Sequence, residues 1–391
     1  MTLELSRGAA AVLAVCMLVV AIACGSGAGR PASQQAAPEP AAAANSAGPA
    51  AAPSLAAPSA PAAPASGSAA ASLQPLSPPV SVKVGEHGVV SNAPLYIALD
   101  RGYFQEQGLD LELVRFQTGP AMMAPLAAGQ IDVAVGAPGA SLFNAIARDI
   151  PLRIVADKGS GEFQGKSYTA LLARRDLVES GDLREYADLK GKRVALPSTG
   201  STNEVQVAMA LQKGGLSNDD VEWQTMSQPD TMVALANKSS DVAVAIEPFV
   251  ARAVQEGIAV RWHGTEEHYP GAVQGLLFYG PGFVTDKQEA ARRFMVAWIK
   301  GVRDYNDAFE KGTRRAETIA ILQKYTDVKD AATYDLMVPA AIDRNGTVNV
   351  KDLEFQQDYY LKTGTQQTAI NMRDVVDPEF AEYAVSVLGR Q

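Results

Sequence analysis

The stretch PAMMAPLAAGQIDVAV at 120–135 and the stretch PDTMVALANKSSDVAV at 229–244 are two versions of one pattern, identical at eight of sixteen positions without a gap. Each starts at a proline, continues through an apolar helical face (Met123, Leu126, Ala127; Met232, Leu235, Ala236) and ends in Asp-Val-Ala-Val. Proline suits the first turn of a helix, and a short apolar run bounded by polar residues reads as a buried strand. The flanks recur in the same order. Opening strands are predicted at 82–85 and 192–196, each followed by a loop and a helix. Gly108-Leu109 and Gly215-Leu216 then lead into strands at 111–116 and 221–225. Strands alternating with helices at this spacing predict parallel sheets covered by helices on both faces. The sequence therefore describes an α/β protein with two lobes of one design.

Two apolar runs, 166–173 and 274–284, are placed to cross between the lobes. They divide the folded part into a first lobe of 81–173 plus 274–391 and a second lobe of 174–273. Beyond 285 the pattern is helical only, with helices predicted at 288–310, 314–325, 331–342, 353–361 and 378–388. Two crossovers return this C-terminal helical segment to the first lobe and leave a hinge with an open cleft.

Ahead of the lobes, Ala, Pro, Ser and Gly fill 46 of the 56 positions from 25 to 80, with three Leu and two charges. Such a stretch buries too little apolar surface to offset chain entropy, so 24–80 is expected to be a disordered tether. Residues 9–23 form an apolar run of 15, short of the ~20 that span a bilayer, ending in Ala-Ile-Ala before Cys24. That reads as an export signal at 1–23. The ending resembles a bacterial lipoprotein cleavage box, which implies that Cys24 becomes the first mature residue and carries lipid; an uncleaved or ordinarily cleaved signal is the alternative. With Cys16 inside the removed segment, Cys24 is the only remaining thiol, no internal disulfide is possible, and a lone exported cysteine supports the lipid reading. The expected location is outside a bacterial membrane, held by lipid on Cys24. The net charge of −9 opposes nucleic-acid binding, which draws on a basic footprint.

Ligands of open α/β sheets sit beyond the carboxyl ends of the strands, beside helix N-termini. The loops there are 86–93, 118–120 and 136–141 in the first lobe, and 197–203, 227–230 and 246–248 in the second. In Ser198-Thr199-Gly200-Ser201-Thr202, glycine permits close backbone approach and four hydroxyls can donate or accept. A helix cap by Ser201 or Thr202 is the simpler use of the same residues. Glu247 can accept from an amine edge or remain a rim charge, and His87 can bond or stack on a ligand or stay at the surface. Asp230 adds a third carboxylate to these loops besides Glu86 and Glu247, and none of the six loops holds Arg or Lys. That acidity favours a neutral or amine-bearing heterocycle over an anion. Phe163, Tyr168 and Phe278 near the hinge read as packing.

Several motifs fail. Gly161 to Ser167 has three residues between its glycines where a P-loop needs four, and a strand follows instead of a helix. The three histidines, His87, His263 and His268, have no metal-binding spacing, and no Gly-x-Ser-x-Gly elbow occurs. No catalytic constellation, metal or cofactor is expected.

Asn92-Ala93-Pro94-Leu95-Tyr96-Ile97-Ala98, Gly102-Tyr103-Phe104 and Gly108-Leu109-Asp110-Leu111-Glu112-Leu113 resemble the opening of solute-binding proteins of ABC importers for nitrate, taurine, aliphatic sulfonates and thiamine pyrimidine precursors. The resemblance continues through Gly129-Gln130-Ile131-Asp132-Val133-Ala134, Asp188-Leu189-Lys190-Gly191-Lys192-Arg193-Val194, Glu247-Pro248 and Val376-Asp377-Pro378-Glu379-Phe380, in order over most of 82–388. It implies a type II periplasmic-binding fold whose lobes close on a small solute and present the closed form to a membrane permease, as a monomer. It also implies that Ser91, Asn92, Ala93, Thr118, Gly119, Gly136, Ala137, Thr199, Gly200, Ser201 and Thr202 line the pocket, with Ser198, Asp230, His87 and Glu247 as further ligand-binding residues. A tethered sensor without a transporter and a pyrimidine-synthase-like enzyme on the same fold are the alternatives.

Overall fold

The computed structural model describes residues 73–391; the expected signal segment, Cys24 and the tether up to residue 72 lie outside the described residues. Ten strands are β1 (Val80–Glu86), β2 (Leu109–Arg115), β3 (Val133–Gly136), β4 (Arg153–Ser160), β5 (Thr169–Arg174), β6 (Arg193–Leu196), β7 (Glu222–Thr225), β8 (Val242–Ile246), β9 (Ala259–Gly264) and β10 (Val273–Tyr279). They form two five-stranded sheets of matching order, β2-β1-β3-β10-β4 and β7-β6-β8-β5-β9. In each sheet the first three strands are parallel, as the repeat predicts. The fourth place departs from the purely parallel expectation: β10 and β5 run antiparallel to both neighbours. Each is the strand that arrives from the other lobe.

The chain leaves the first sheet after Ser160 and joins the second at Thr169; it leaves after Gly264 and returns at Val273. The boundary expected after residue 173 therefore moves back to 161–168. The run TALLAR is buried along its whole length because it lies inside the second sheet, between β8 and β9.

The aspartate of the repeat has one role in both lobes. The Asp132 N–H donates to the Lys83 carbonyl at 2.8 Å while its Oδ2 accepts from the Lys83 N–H at 2.9 Å. Asp241 repeats the clamp on Arg193, at 3.0 Å for both bonds. Strand alternation then sorts the second sheet into two faces. Leu171, Val194, Leu196 and Val244 lie in one core cluster, and Ala170, Leu172, Ala195, Ala243 and Ala245 in another. The first sheet is covered by the helix Gln288–Lys311, which buries Phe294, Trp298, Ile299, Val302 and Tyr305, partly against the helix Ala93–Asp100.

The C-terminal segment departs from expectation in two places. Helix over 331–342 is reduced to the turn Thr333–Leu336. Pro339 has no N–H and disfavours helical backbone before it, and the Val338 N–H is taken by Glu247 Oε1 of the second lobe at 3.2 Å. The helix Val350–Thr363 touches the first-lobe helix Ala140–Ile146 and also the second-lobe helix Thr202–Lys213. Gln356 accepts from the Thr202 hydroxyl at 3.0 Å and Tyr359 donates to Glu204 at 2.8 Å. The tether expected through residue 80 also ends early. Leu73 and Leu76, two of its three leucines, lie against the first core, and the Leu76 N–H donates to the Gln107 carbonyl at 3.2 Å. Among the described residues, no helix is long and apolar enough to cross a membrane.

Two predictions follow from this packing. A Cβ on Gly301 would stand 2.2 Å from the Pro94 carbonyl oxygen, which is backbone and cannot swing aside. Gly301→Ala gains about 1 kcal/mol in helix propensity but incurs an overpacking cost of about 1–3 kcal/mol. A lowered melting temperature is expected; a raised one would show that the helices separate freely. Glu247 is buried and its carboxyl is pushed up from 4.5 to about 7, chiefly by burial and against the opposing bonds from the Ala251 and Val338 N–H groups and the charge of Arg261. The native chain thus keeps a proton that the unfolded chain releases. Its contribution to stability is greatest below pH 4.5 and declines as pH rises to about 7, by roughly 3 kcal/mol in all. Melting temperatures of Glu247→Gln should fall less steeply with pH across that window; a slope equal to the wild type's contradicts the assignment.

Candidate functional site

A cleft of about 800 Å³ runs between the two sheets. The first lobe contributes the loops after β1, β2 and β3, and the second those after β6, β7 and β8, so the matched ends of the repeat face each other. Its floor is the hinge itself, where Lys158, Tyr168, Thr169 and Gln274 reach the cavity. At one side the lobes already touch. The Ala140 N–H donates to the Gly200 carbonyl at 2.9 Å and the Thr202 hydroxyl to the Pro138 carbonyl at 3.2 Å.

Of the residues singled out from sequence, His87, Ser91, Thr118, Gly119, Ala137, Ser198, Gly200, Ser201 and Thr202 line this cleft. Six do not. Asn92 and Ala93 are fully buried, Asn92 turned back to donate to Glu86 at 3.3 Å. Gly136 is inside β3 with no side chain to project, and Thr199 points outward into solvent. Asp230 is exposed and tied to Ser227 at 2.6 Å, closing the first turn of its helix. Glu247 is buried behind the cleft wall, accepting from Ala251 at 2.9 Å and from Val338. The capping alternative for Ser201 also fails: it occupies the N-cap position of the helix Thr202–Lys213, but its hydroxyl donates backward to the Ser198 carbonyl at 2.6 Å.

These positions undo the inference from loop acidity. Asp230 and Glu247 are absent from the lining, and Glu86 is enclosed by donors from Gly88, Asn92 and Tyr96 with Arg115 at 3.1 Å. The charge on the floor is a cation, Lys158, which loop-by-loop reading missed because it lies within β4. A signal was present in the sequence: Asp157-Lys158-Gly159 interrupts an apolar strand. Burial pushes the Lys158 ammonium down to about 8, against the charges of Asp157 and Glu86. Burial, with Lys158 next, pushes His87 down to about 3, so its ring is neutral and its Nδ1 has no partner among the described residues.

The second-lobe wall adds Gln206 Nε2 and Gln228 Oε1, both buried and without partners among the described residues. Residues carrying an unpartnered donor, an unpartnered acceptor and a cation thus line one cavity whose walls include Phe116, Met123 and Phe249. Tyr168, expected as packing, lines the floor, whereas Phe278 is core and Phe163 stands away from the cleft. Such a cavity can desolvate an apolar body and orient a polar head.

Comparison with known proteins agrees with this architecture. The chain is 27% identical over 215 residues to a proposed binding protein of Brucella abortus (strain 2308), covering 54% of this chain and 62% of that one. It therefore spans less than two thirds of that relative's length. It is 24% identical over 308 residues to a proposed aliphatic sulfonates-binding protein of Bacillus subtilis (strain 168), 75% of this chain and 86% of that one. In fold it is similar to the alkanesulfonate-binding protein SsuA from Xanthomonas axonopodis pv. citri bound to MOPS, with a TM-score of 0.61 and 20% identity over 78% of this chain and 100% of that one. The family model described as NMT1/THI5 like matches residues 90–308, more than half of the chain. With its two matched lobes and shared cleft, the chain belongs to the NMT1/THI5-like family.

Proposed function

We propose that the chain is the extracytoplasmic solute-binding subunit of an ABC importer, capturing a small organic solute between two closing lobes and delivering it to a membrane permease. The observation that carries this reading is the cleft: both lobes line it, and the chain crosses between them twice along its floor. A solute touching both walls stabilises the closed form by its differential affinity, and the permease reads the surfaces that closure aligns. Proteins of similar sequence or fold that are named for binding, two of them for sulfonates, support the same role.

Binding rather than catalysis fits the bonding of the cleft hydroxyls. Ser201 and Thr202 donate to carbonyls and to Gln356 and none is engaged by His87, the one imidazole in the lining. Export directed by residues 1–23, a lipid on Cys24 and a tether that begins there complete the proposal. They let a monomeric folded body sample the space above the membrane while remaining attached.

A thermal-shift screen of the full chain against nitrate, sulfonates, aminopyrimidines and flavins tests the reading. A ligand present at 100 times its dissociation constant should stabilise the fold by about 2.7 kcal/mol. If no small solute of any class raises the melting temperature, the importer reading fails.

A further inference from the structure

Lys158 is only 2% exposed, yet it lines the cleft. Its position is built rather than incidental. Between β10 and β4, Gly275 faces Gly159 and Leu276 faces Asp157, so Lys158 is the extra residue of a β-bulge. A bulge re-aims a side chain out of the regular alternation. The opposing residue is a glycine: a Cβ on Gly275 would come within 3.3 Å of Lys158 Cδ and 3.4 Å of its Cβ. The bulge and the missing side chain together let the lysine stem cross the sheet to the cleft floor.

At that floor the ammonium has no hydrogen bond or ion pair among the described residues, although two carboxylates stand nearby. Both are committed elsewhere. Glu86 is paired with Arg115 and accepts from three further donors. Asp157 accepts from the Gly159 N–H at 3.1 Å, the Asp343 N–H at 2.8 Å and the Ser160 hydroxyl. Of the other cations in the lining, Arg115 is paired with Glu86, Arg252 with Glu256 at 3.5 Å, and Lys329 is exposed at the rim and donates to the Gln323 carbonyl at 2.6 Å. The lining acids Glu256, Asp327 and Asp330 are exposed at the rim. A desolvated cation without a partner is costly, and an anion arriving with the solute removes that cost.

The cavity also sets size. Its walls already touch at Ala140 and Gly200 while enclosing about 800 Å³, within the range that holds a drug-sized organic molecule and far more than a bare inorganic anion fills. We infer that Lys158 anchors the solute's charge, and that the solute is an organic anion whose carboxylate, sulfonate or phosphate meets this ammonium while an apolar body lies against Phe116, Met123 and Phe249. This inference rests on the reading of the chain as a solute-binding protein.

The test holds the body constant and varies the head. Naphthalene-2-carboxylate, naphthalene-2-sulfonate, 2-naphthylmethanol and 2-naphthylmethylammonium are titrated by calorimetry into the full chain and into Lys158→Met. At least one anion should bind the wild type tenfold or more tighter than the alcohol and the ammonium. Lys158→Met should lose at least tenfold for that anion, keep the alcohol's affinity within threefold, and melt no lower than the wild type. Lys158→Gln, with a polar neutral head, provides a second folded background for the same loss. The inference is overturned if no anion binds, if the alcohol or ammonium binds as well, or if Lys158→Met binds the anion unchanged. Should a neutral or cationic compound from the thermal-shift screen stabilise the chain while every anion fails, the importer reading stands and only the assignment of Lys158 falls.

Discussion

The structure depends on an exchange of strands. β5 and β10 each sit in the sheet opposite to the strand that precedes them, so the chain crosses between lobes twice, at 161–168 and 265–272. A buried polar knot ties the two crossings together. The Thr265 hydroxyl donates to Thr169 at 2.7 Å, Thr169 donates to Gln274 Oε1 at 2.7 Å, and Gln274 Nε2 donates to Ser167 at 2.9 Å. Each donor finds an acceptor, so burial incurs no unsatisfied polar group here, and the network fixes the relative start of both strands. Thr169 and Gln274 belong at once to this knot and to the cleft floor. The same side chains therefore hold the hinge and line the cleft.

The electrostatics of the cleft follow from that floor. The loops at the strand ends supply hydroxyls, amides and backbone, but their carboxylates are turned to structural work: Asp230 in a helix start, Glu247 in a contact with the C-terminal segment, Glu86 among four donors. Counting charges along loops gave them to the ligand. The fold instead leaves Lys158 as the buried charge facing the cavity, because it comes from within a strand that the bulge turns toward the hinge.

Much of the fold was legible because the repeat encodes it locally. Asp132 and Asp241 each clamp the backbone of the opening strand in their own lobe, a reason for their shared place that needs no ligand. Periodicity found the long helix Gln288–Lys311 for the same local reason. What escaped is non-local. TALLAR reads as apolar strand in either lobe, and only pairing with β8 and β9 decides its sheet. Leu73 and Leu76 look like isolated leucines in a low-complexity stretch until Gln107 and the first core receive them. Residues 331–342 carry a helical pattern that loses to Pro339 and to a hydrogen bond from another lobe. In the site, loops known to end strands could be read off, whereas Tyr168, Gln274 and Lys158 reach the cavity only through the exchange of strands.

Small-angle X-ray scattering of the full chain, with and without a saturating ligand, tests most directly whether the two lobes close about this knot. The account predicts a smaller radius of gyration and a shortened longest dimension when ligand is bound. Superimposable scattering curves at proven saturation would contradict it.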